Sequence, residues 1–135
     1  MVFCGGNQIQ TMNTKDSNFA VALIGEHLIS VEGLKVGSTE VIFKTASGRT
    51  FKMYHEQDCC ESVNVTRHST PYTYGEGLAV KEATEKIEQN IPASESATRT
   101  TFCINGGSYS GFFIEWVGES NGYYSESVSF VEIIP

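Results

Sequence analysis

Nine consecutive residues, Met53-Tyr54-His55-Glu56-Gln57-Asp58-Cys59-Cys60-Glu61, bring an imidazole, three carboxylates and two thiols into one stretch of the chain. Three kinds of chemistry use such groups. A metal site is the first: His55 and Cys59 lie four apart, and Cys60 and Cys103 add soft sulfur ligands of the kind zinc accepts. Structural zinc sites are usually built from paired Cys-x-x-Cys or His-x-x-x-His modules, and no second pair occurs; His27 and His68 are not in ligand spacing with anything. Cys-His nucleophilic catalysis is the second, but Glu56, Asp58 and Glu61 favour the neutral thiol over the thiolate. General acid–base work by Glu56 and Asp58 is the third, and nothing beside them identifies a substrate. Against all three stands a structural role. His55 can bond across strands, Asp58 can close a turn, and a cysteine can fill a small apolar space.

A second stretch, Gly118-Glu119-Ser120-Asn121-Gly122-Tyr123-Tyr124-Ser125-Glu126, sets two tyrosines beside the turn signal Asn121-Gly122. Tyrosine with serine, glycine and asparagine is the composition of adaptable binding loops, and Tyr72 and Tyr74 have the same character. Trp116 falls on a regular apolar face and reads as core. Cys4-Gly5-Gly6 and Asn105-Gly106-Gly107 lack the lysine and helix of a phosphate loop. No catalytic residue and no cofactor is assigned.

The elements that must position these groups belong to one domain. The chain has 135 residues, 40% hydrophobic and 11% aromatic, enough for one core and too few for two. A net charge of -7 argues against direct binding to nucleic acid, which needs a basic footprint on phosphates. No apolar run is long enough to span a bilayer, and Met1 to Gln10 lack the basic start and apolar stretch of a secretory signal. The four cysteines, Cys4, Cys59, Cys60 and Cys103, are therefore expected as thiols in a cytoplasmic setting, with a strained bridge between the adjacent pair disfavoured.

Residues 1–15 read as a loose arm and 16–135 as a single domain. Asp16 or Ser17 can cap a short helix with Phe19, Ala22 and Leu23 on one face. Ile29 and Val31 alternate with polar residues as a strand, and Val41/Phe43 and Phe51/Met53 flank Ala46-Ser47-Gly48-Arg49 as a hairpin. Val63 and Val65 resume a strand. Between Leu78 and Asn90, Val80, Ala83, Thr84 and Ile87 recur at helical spacing, and Glu82 and Lys86 form an i, i+4 pair, which predicts an amphipathic helix stopped by Pro92. Pro92 to Arg99 reads as a linker. Phe102–Ile104, the turn at Asn105-Gly106-Gly107, Phe112/Ile114/Trp116 and Val128/Phe130 complete the chain. The expected class is α+β: five to seven mostly antiparallel, hairpin-connected strands with one amphipathic helix and a short N-terminal helix.

The segments Tyr54–Glu61 and Ser120–Glu126, with Leu23-Ile24-Gly25 before them, resemble the signatures of a small family of domains of unknown function found mainly in bacteriophages and prophages. The resemblance covers about residues 20–133. It implies a phage-encoded accessory protein in the bacterial cytoplasm, acting by binding a host or defence protein or a small polar, nucleotide-like ligand. The expected contact surface joins Tyr54, His55, Glu56, Gln57 and Asp58 to Ser120, Asn121, Tyr123 and Tyr124 at one sheet end. A homo-oligomer is compatible with so small a domain. The contrasting readings are a metal- or thiol-dependent enzyme centred on His55, Cys59 and Cys60, and a structural phage component.

Overall fold

Alternating apolar side chains build the first sheet. Val41, Phe43 and Thr45 point inward from β3 (Glu40–Thr45), and Phe51 and Met53 from β4 (Thr50–Tyr54). The expected hairpin forms in full register, from Glu40 opposite Tyr54 to Lys44 opposite Thr50. A computed structural model describes residues 13–69, 77–93, 95–107 and 110–134. Around this hairpin it adds β1 (Asn13–Asp16), β2 (His27–Glu32), β6 (Leu78–Ala79) and β10 (Ser129–Ile134), giving a six-stranded sheet in the order β1-β10-β4-β3-β2-β6. A four-stranded sheet, β5-β9-β8-β7, comprises β5 (Ser62–His68), β7 (Glu82–Gln89), β8 (Ser96–Gly107) and β9 (Ser110–Ser120). Every pairing is antiparallel.

The two sheets share one core. Leu28, Val41, Phe43, Phe51 and Met53 of the larger sheet meet Val65, Phe102, Ile104, Ile114 and Trp116 of the smaller one, all essentially inaccessible to solvent. Trp116 is core, as its position in the apolar run implies, and its indole N–H finds the sulfur of Met53 at 3.2 Å across the sandwich. The only helix among the described residues, α1 (Phe19–Leu23), closes one side. Asn18 caps it by accepting the Val21 N–H at 3.0 Å, and the Phe19 ring reaches Phe102 at 4.7 Å and Phe130 at 5.3 Å, one from each sheet. Arg49 ties the larger sheet together by gripping Glu132 with two hydrogen bonds of 3.1 Å and Glu26 with one of 2.9 Å.

The α+β expectation is therefore wrong: the fold is a two-sheet antiparallel β-sandwich with a single five-residue helix among the described residues. The expected helix from Leu78 to Asn90 is strand β6 followed by strand β7, and β7 pairs with β8 without interruption from Glu82 opposite Asn105 to Gln89 opposite Thr98. A helix of a dozen residues is marginal alone, whereas the ladder satisfies one side of the backbone along the whole segment. The charges confirm strand spacing. Lys86 pairs two residues on with Glu88 at 3.9 Å, not with Glu82, and Glu88 also accepts from Arg99 on β8 at 3.2 Å.

Smaller corrections follow from the same ladders. Asn105 and Gly106 continue β8 instead of turning, and the supposed linker contains its first residues, Ser96–Arg99. Ile29 is half exposed because the pairing of β2 with β3 shifts register between Leu28 and Ser30. The last residues of the expected arm, Asn13–Lys15, form β1 with Asp16 against β10; residues 1–12, and Tyr72 and Tyr74, lie outside the described residues. No helix of the described residues is long and apolar enough to cross a membrane.

Candidate functional site

His55 follows directly on β4 and turns into the protein, where its side chain is 2% exposed. Its Nδ1 lies 2.7 Å from the carbonyl oxygen of Ser127, and its Nε2 lies 2.6 Å from Glu61 Oε2. A carbonyl only accepts, so Nδ1 carries a proton. The Glu61 carboxylate is wholly buried and also accepts the N–H groups of Asp58 at 2.8 Å and Cys59 at 3.0 Å. Burial by itself raises its pKa, but the hydrogen bonds from His55, Asp58 and Cys59 outweigh that and hold it at about 2. Both ring nitrogens are thus engaged within hydrogen-bond distance, one by Ser127 and one by Glu61, and neither is open to a metal or a thiol.

Around this pair the first segment is a self-contained turn. Gln57 donates to the Glu61 carbonyl at 3.0 Å, and Tyr54 donates to Glu56 at 3.1 Å with Lys52 over its ring at 4.4 Å. Cys59 and Cys60 are exposed at its tip and are paired as a vicinal disulfide, which corrects the expectation of four free thiols. Cys103, a free thiol, sits in β8 opposite Thr84 and Phe113 in the other sheet, away from the turn that follows β4. The sulfur and imidazole groups named for zinc are thus divided between a closed hydrogen-bonded pair, a disulfide and a separate strand. Among the described residues no three histidine, cysteine or acidic side chains are grouped to hold a metal ion.

The second segment folds back over β9. Ser120 is buried, donates to Glu126 at 2.5 Å and accepts the Gly122 N–H at 2.9 Å. Asn121 accepts the Tyr123 N–H at 2.9 Å, and Gly122 takes a positive φ of 93°. Tyr124 packs edge-on beside Tyr123, their centroids 6.1 Å apart, while Tyr123 itself is 84% exposed. Gly118 makes the fold-back fit, since a Cβ there would stand 2.6 Å from the Glu126 carbonyl oxygen. The first segment is tied to the chain one residue beyond the second, through the His55–Ser127 hydrogen bond. His55 is a connector in that junction and does not face solvent.

Beneath the returning chain lies a cleft of about 450 Å³. The register puts Ile87 opposite Thr100 and Gln89 opposite Thr98, on the same sheet face as buried Ala83. Ala83 is in the core but Ile87 is 56% exposed, so this face runs out from under the larger sheet and becomes the cleft floor. Tyr124, Glu126 and Val128 line it from the returning segment. Thr98 donates to Glu126 at 2.7 Å, locking roof to floor. Burial raises the Glu126 pKa, but hydrogen bonds from Ser120, Ser96 and Thr98 prevail and keep it below the usual carboxylate value. At the wall, desolvation pushes the Glu85 carboxyl pKa up. Among the described residues no lysine, arginine or histidine lines the cleft, and no ion pair involves Glu85 or Glu126.

Of the residues expected to form the contact surface, only Tyr124 lines this cleft, joined by Gly122, Ser125 and Glu126 of the same stretch; Ser120 and His55 hold its roof from behind, and the floor residues of β7 and β8 were not anticipated as a site. Their signal was present in Glu85, Ile87 and Gln89, which alternate as a strand facing Thr100 and Thr98. No curated protein and no solved structure matches the chain. A family match does span residues 21–130, which includes both segments and every strand of the cleft floor, and the chain accordingly belongs to the DUF7448 family, a domain of unknown function.

Proposed function

We propose that the protein works by non-catalytic binding and that its site is the cleft between the β7–β8 floor and the Gly122–Val128 segment, which takes a small polar ligand carrying a positive charge. One observation carries this: a concave volume within the range of small-molecule sites holds an ionised carboxylate, Glu126, whose partners among the described residues are hydroxyl groups and no cation. Low-dielectric walls focus that field outward, which attracts an amine and repels a phosphate. The lining therefore favours an ammonium or amino-alcohol group over a nucleotide. Tyr124 adds an aromatic face for the ligand's apolar or cationic part. The enzymatic reading has less support, because both nitrogens of His55 are occupied by Ser127 and Glu61. The resemblance to phage and prophage domains supports an accessory role in the bacterial cytoplasm.

The test is a titration with alkyl diamines, amino alcohols and nucleoside monophosphates, followed by amide chemical shifts. Amines are expected to move Thr98, Thr100 and Tyr124, and Glu85→Gln to weaken them by about tenfold, the loss of roughly 1.4 kcal/mol. Nucleotide binding in the cleft, or amine shifts confined to other surfaces, would sink the proposal. A second reading, docking of a host or defence protein, rests on Tyr123, which offers a large aromatic surface at 84% exposure. If that reading holds, Tyr123→Ala abolishes capture of the protein partner and leaves amine binding unchanged; equal capture by the variant excludes it.

A further inference from the structure

We propose that Cys59 and Cys60 are a reversible oxidation site for low-molecular-weight disulfides, and that the state of the pair is transmitted to the cleft roof through Glu61, His55 and Ser127. The transmission half rests on the cleft as the binding site; the oxidation half does not.

Accessibility comes first. Both cysteines are exposed, at the tip of a turn whose Gln57 side chain and Asp58 and Cys59 N–H groups bond to Glu61. Adjacency comes second. Consecutive Cα atoms are about 3.8 Å apart, below the roughly 4.4–6.8 Å that disulfides favour, so a bridge between neighbours is more reducible than one between distant strands. The dithiol and disulfide forms then both lie within reach of a thiol–disulfide buffer. Glu56 and Asp58 disfavour the attacking thiolate and slow the exchange, whereas the Glu61 carboxylate is already engaged by His55, Asp58 and Cys59.

The chemistry is closed. One cysteine thiolate attacks a sulfur of the small disulfide, forms a mixed disulfide and expels one thiolate. The second cysteine attacks the protein-bound sulfur, forms the Cys59–Cys60 bond and expels the other. The two cysteine protons end on the released thiols, and the two electrons lost by the pair reduce the small disulfide.

Transmission follows from who holds the backbone. Closing the ring fixes the peptide joining Cys59 to Cys60, and the Cys59 N–H, on the peptide just before it, donates to Glu61 Oε1 at 3.0 Å. Glu61 Oε2 binds His55, and His55 binds the Ser127 carbonyl in the segment that roofs the cleft. Three hydrogen bonds connect the cysteine backbone to the roof, and every donor and acceptor of the relay is shielded except at its two ends.

The experiment uses the full chain with Cys4→Ser and Cys103→Ser, so that only the pair can react. The chain is equilibrated in glutathione buffers of graded ratio, with intact mass and amide hydrogen exchange read on the same samples. The expected result is a reversible loss of about 2 Da on oxidation. With it should come a change of roughly threefold or more in exchange at Asp58, Cys59 and the 122–128 segment. Cys60→Ser in the same background removes both responses. A pair that stays reduced, or stops at the mixed disulfide, in excess oxidised glutathione overturns the oxidation site. A 2 Da change without altered exchange at 122–128 overturns the transmission. Neither readout involves a cleft ligand, so failure here is separable from failure of the amine titration.

Discussion

Replacing Glu61 with alanine is expected to cost the fold about 3–5 kcal/mol, read as a fall in the urea midpoint. The change leaves the buried His55 ring without the carboxylate at 2.6 Å and strips the Asp58 and Cys59 N–H groups of their acceptor. The cost of each part-buried N–H left without its acceptor adds to that of the unpaired ring. Glu61→Gln keeps one acceptor oxygen and loses less. A double-mutant cycle with His55→Ala should return a coupling of roughly 1–3 kcal/mol, as expected for groups in one network. An alanine variant that unfolds at the wild-type midpoint would show the pair to be incidental.

Acid titration tests the same pair with a definite sign. The folded-state pKa of Glu61 is lowered to about 2 from 4.5. Its contribution is present in full above the unfolded value and is lost as pH falls from 4.5 toward 2, because the unfolded chain takes up the proton first. The amount is roughly 3 kcal/mol at neutral pH by linkage. Glu26, Glu115, Glu126 and Glu132 also have lowered values, so the wild type is acid-sensitive through several groups. The diagnostic is the difference: the stability of Glu61→Gln should fall less steeply than that of the wild type below pH 4.5. Parallel curves would assign the acid transition to the other carboxylates.

How much of this was legible depended on where each strand faces. The β3–β4 hairpin and the run Phe112, Ile114, Trp116 advertise themselves because their inward positions are all apolar and the core covers them. β7 does not, and for a physical reason. Its inward positions are Ala83, Glu85, Ile87 and Gln89, of which only Ala83 reaches the core while the rest face the cleft. A strand that lines a polar site loses the apolar alternation that marks strands, and the few apolar residues left fell at helical spacing. The residues that hid the strand are those that make the site. His55 shows the converse case: an unusual cluster of reactive side chains drew notice as chemistry, yet partners supplied by Ser127, in a segment 72 residues away along the chain, make it a fastening. Sequence composition registers which groups are present and not which of them are already satisfied.

Gly118 is where the fastening and the cleft can be separated by mutation. Gly118→Ala places a methyl group 2.6 Å from the Glu126 carbonyl oxygen and 2.9 Å from its Cβ. Gly118 is itself held between Val63 and Thr98 by the ladders of β5 and β8, so the strand cannot retreat and the returning segment must lift. The expected cost is roughly 1–3 kcal/mol, typical of overpacking. With the segment lifted, the bonds from Thr98 and Ser120 to Glu126 lengthen, and amine binding should be lost even where the variant remains folded. Gly122→Ala is the control. Nothing lies within 4 Å of its added Cβ, and its φ of 93° alone makes the change unfavourable. Roughly 1–2 kcal/mol of backbone strain is expected there. Two variants of similar stability should then differ in the cleft, one displaced by contact and the other strained but seated. If both bind amines as the wild type does, the returning segment is not the roof of a binding site, because lifting it changed nothing that the ligand senses.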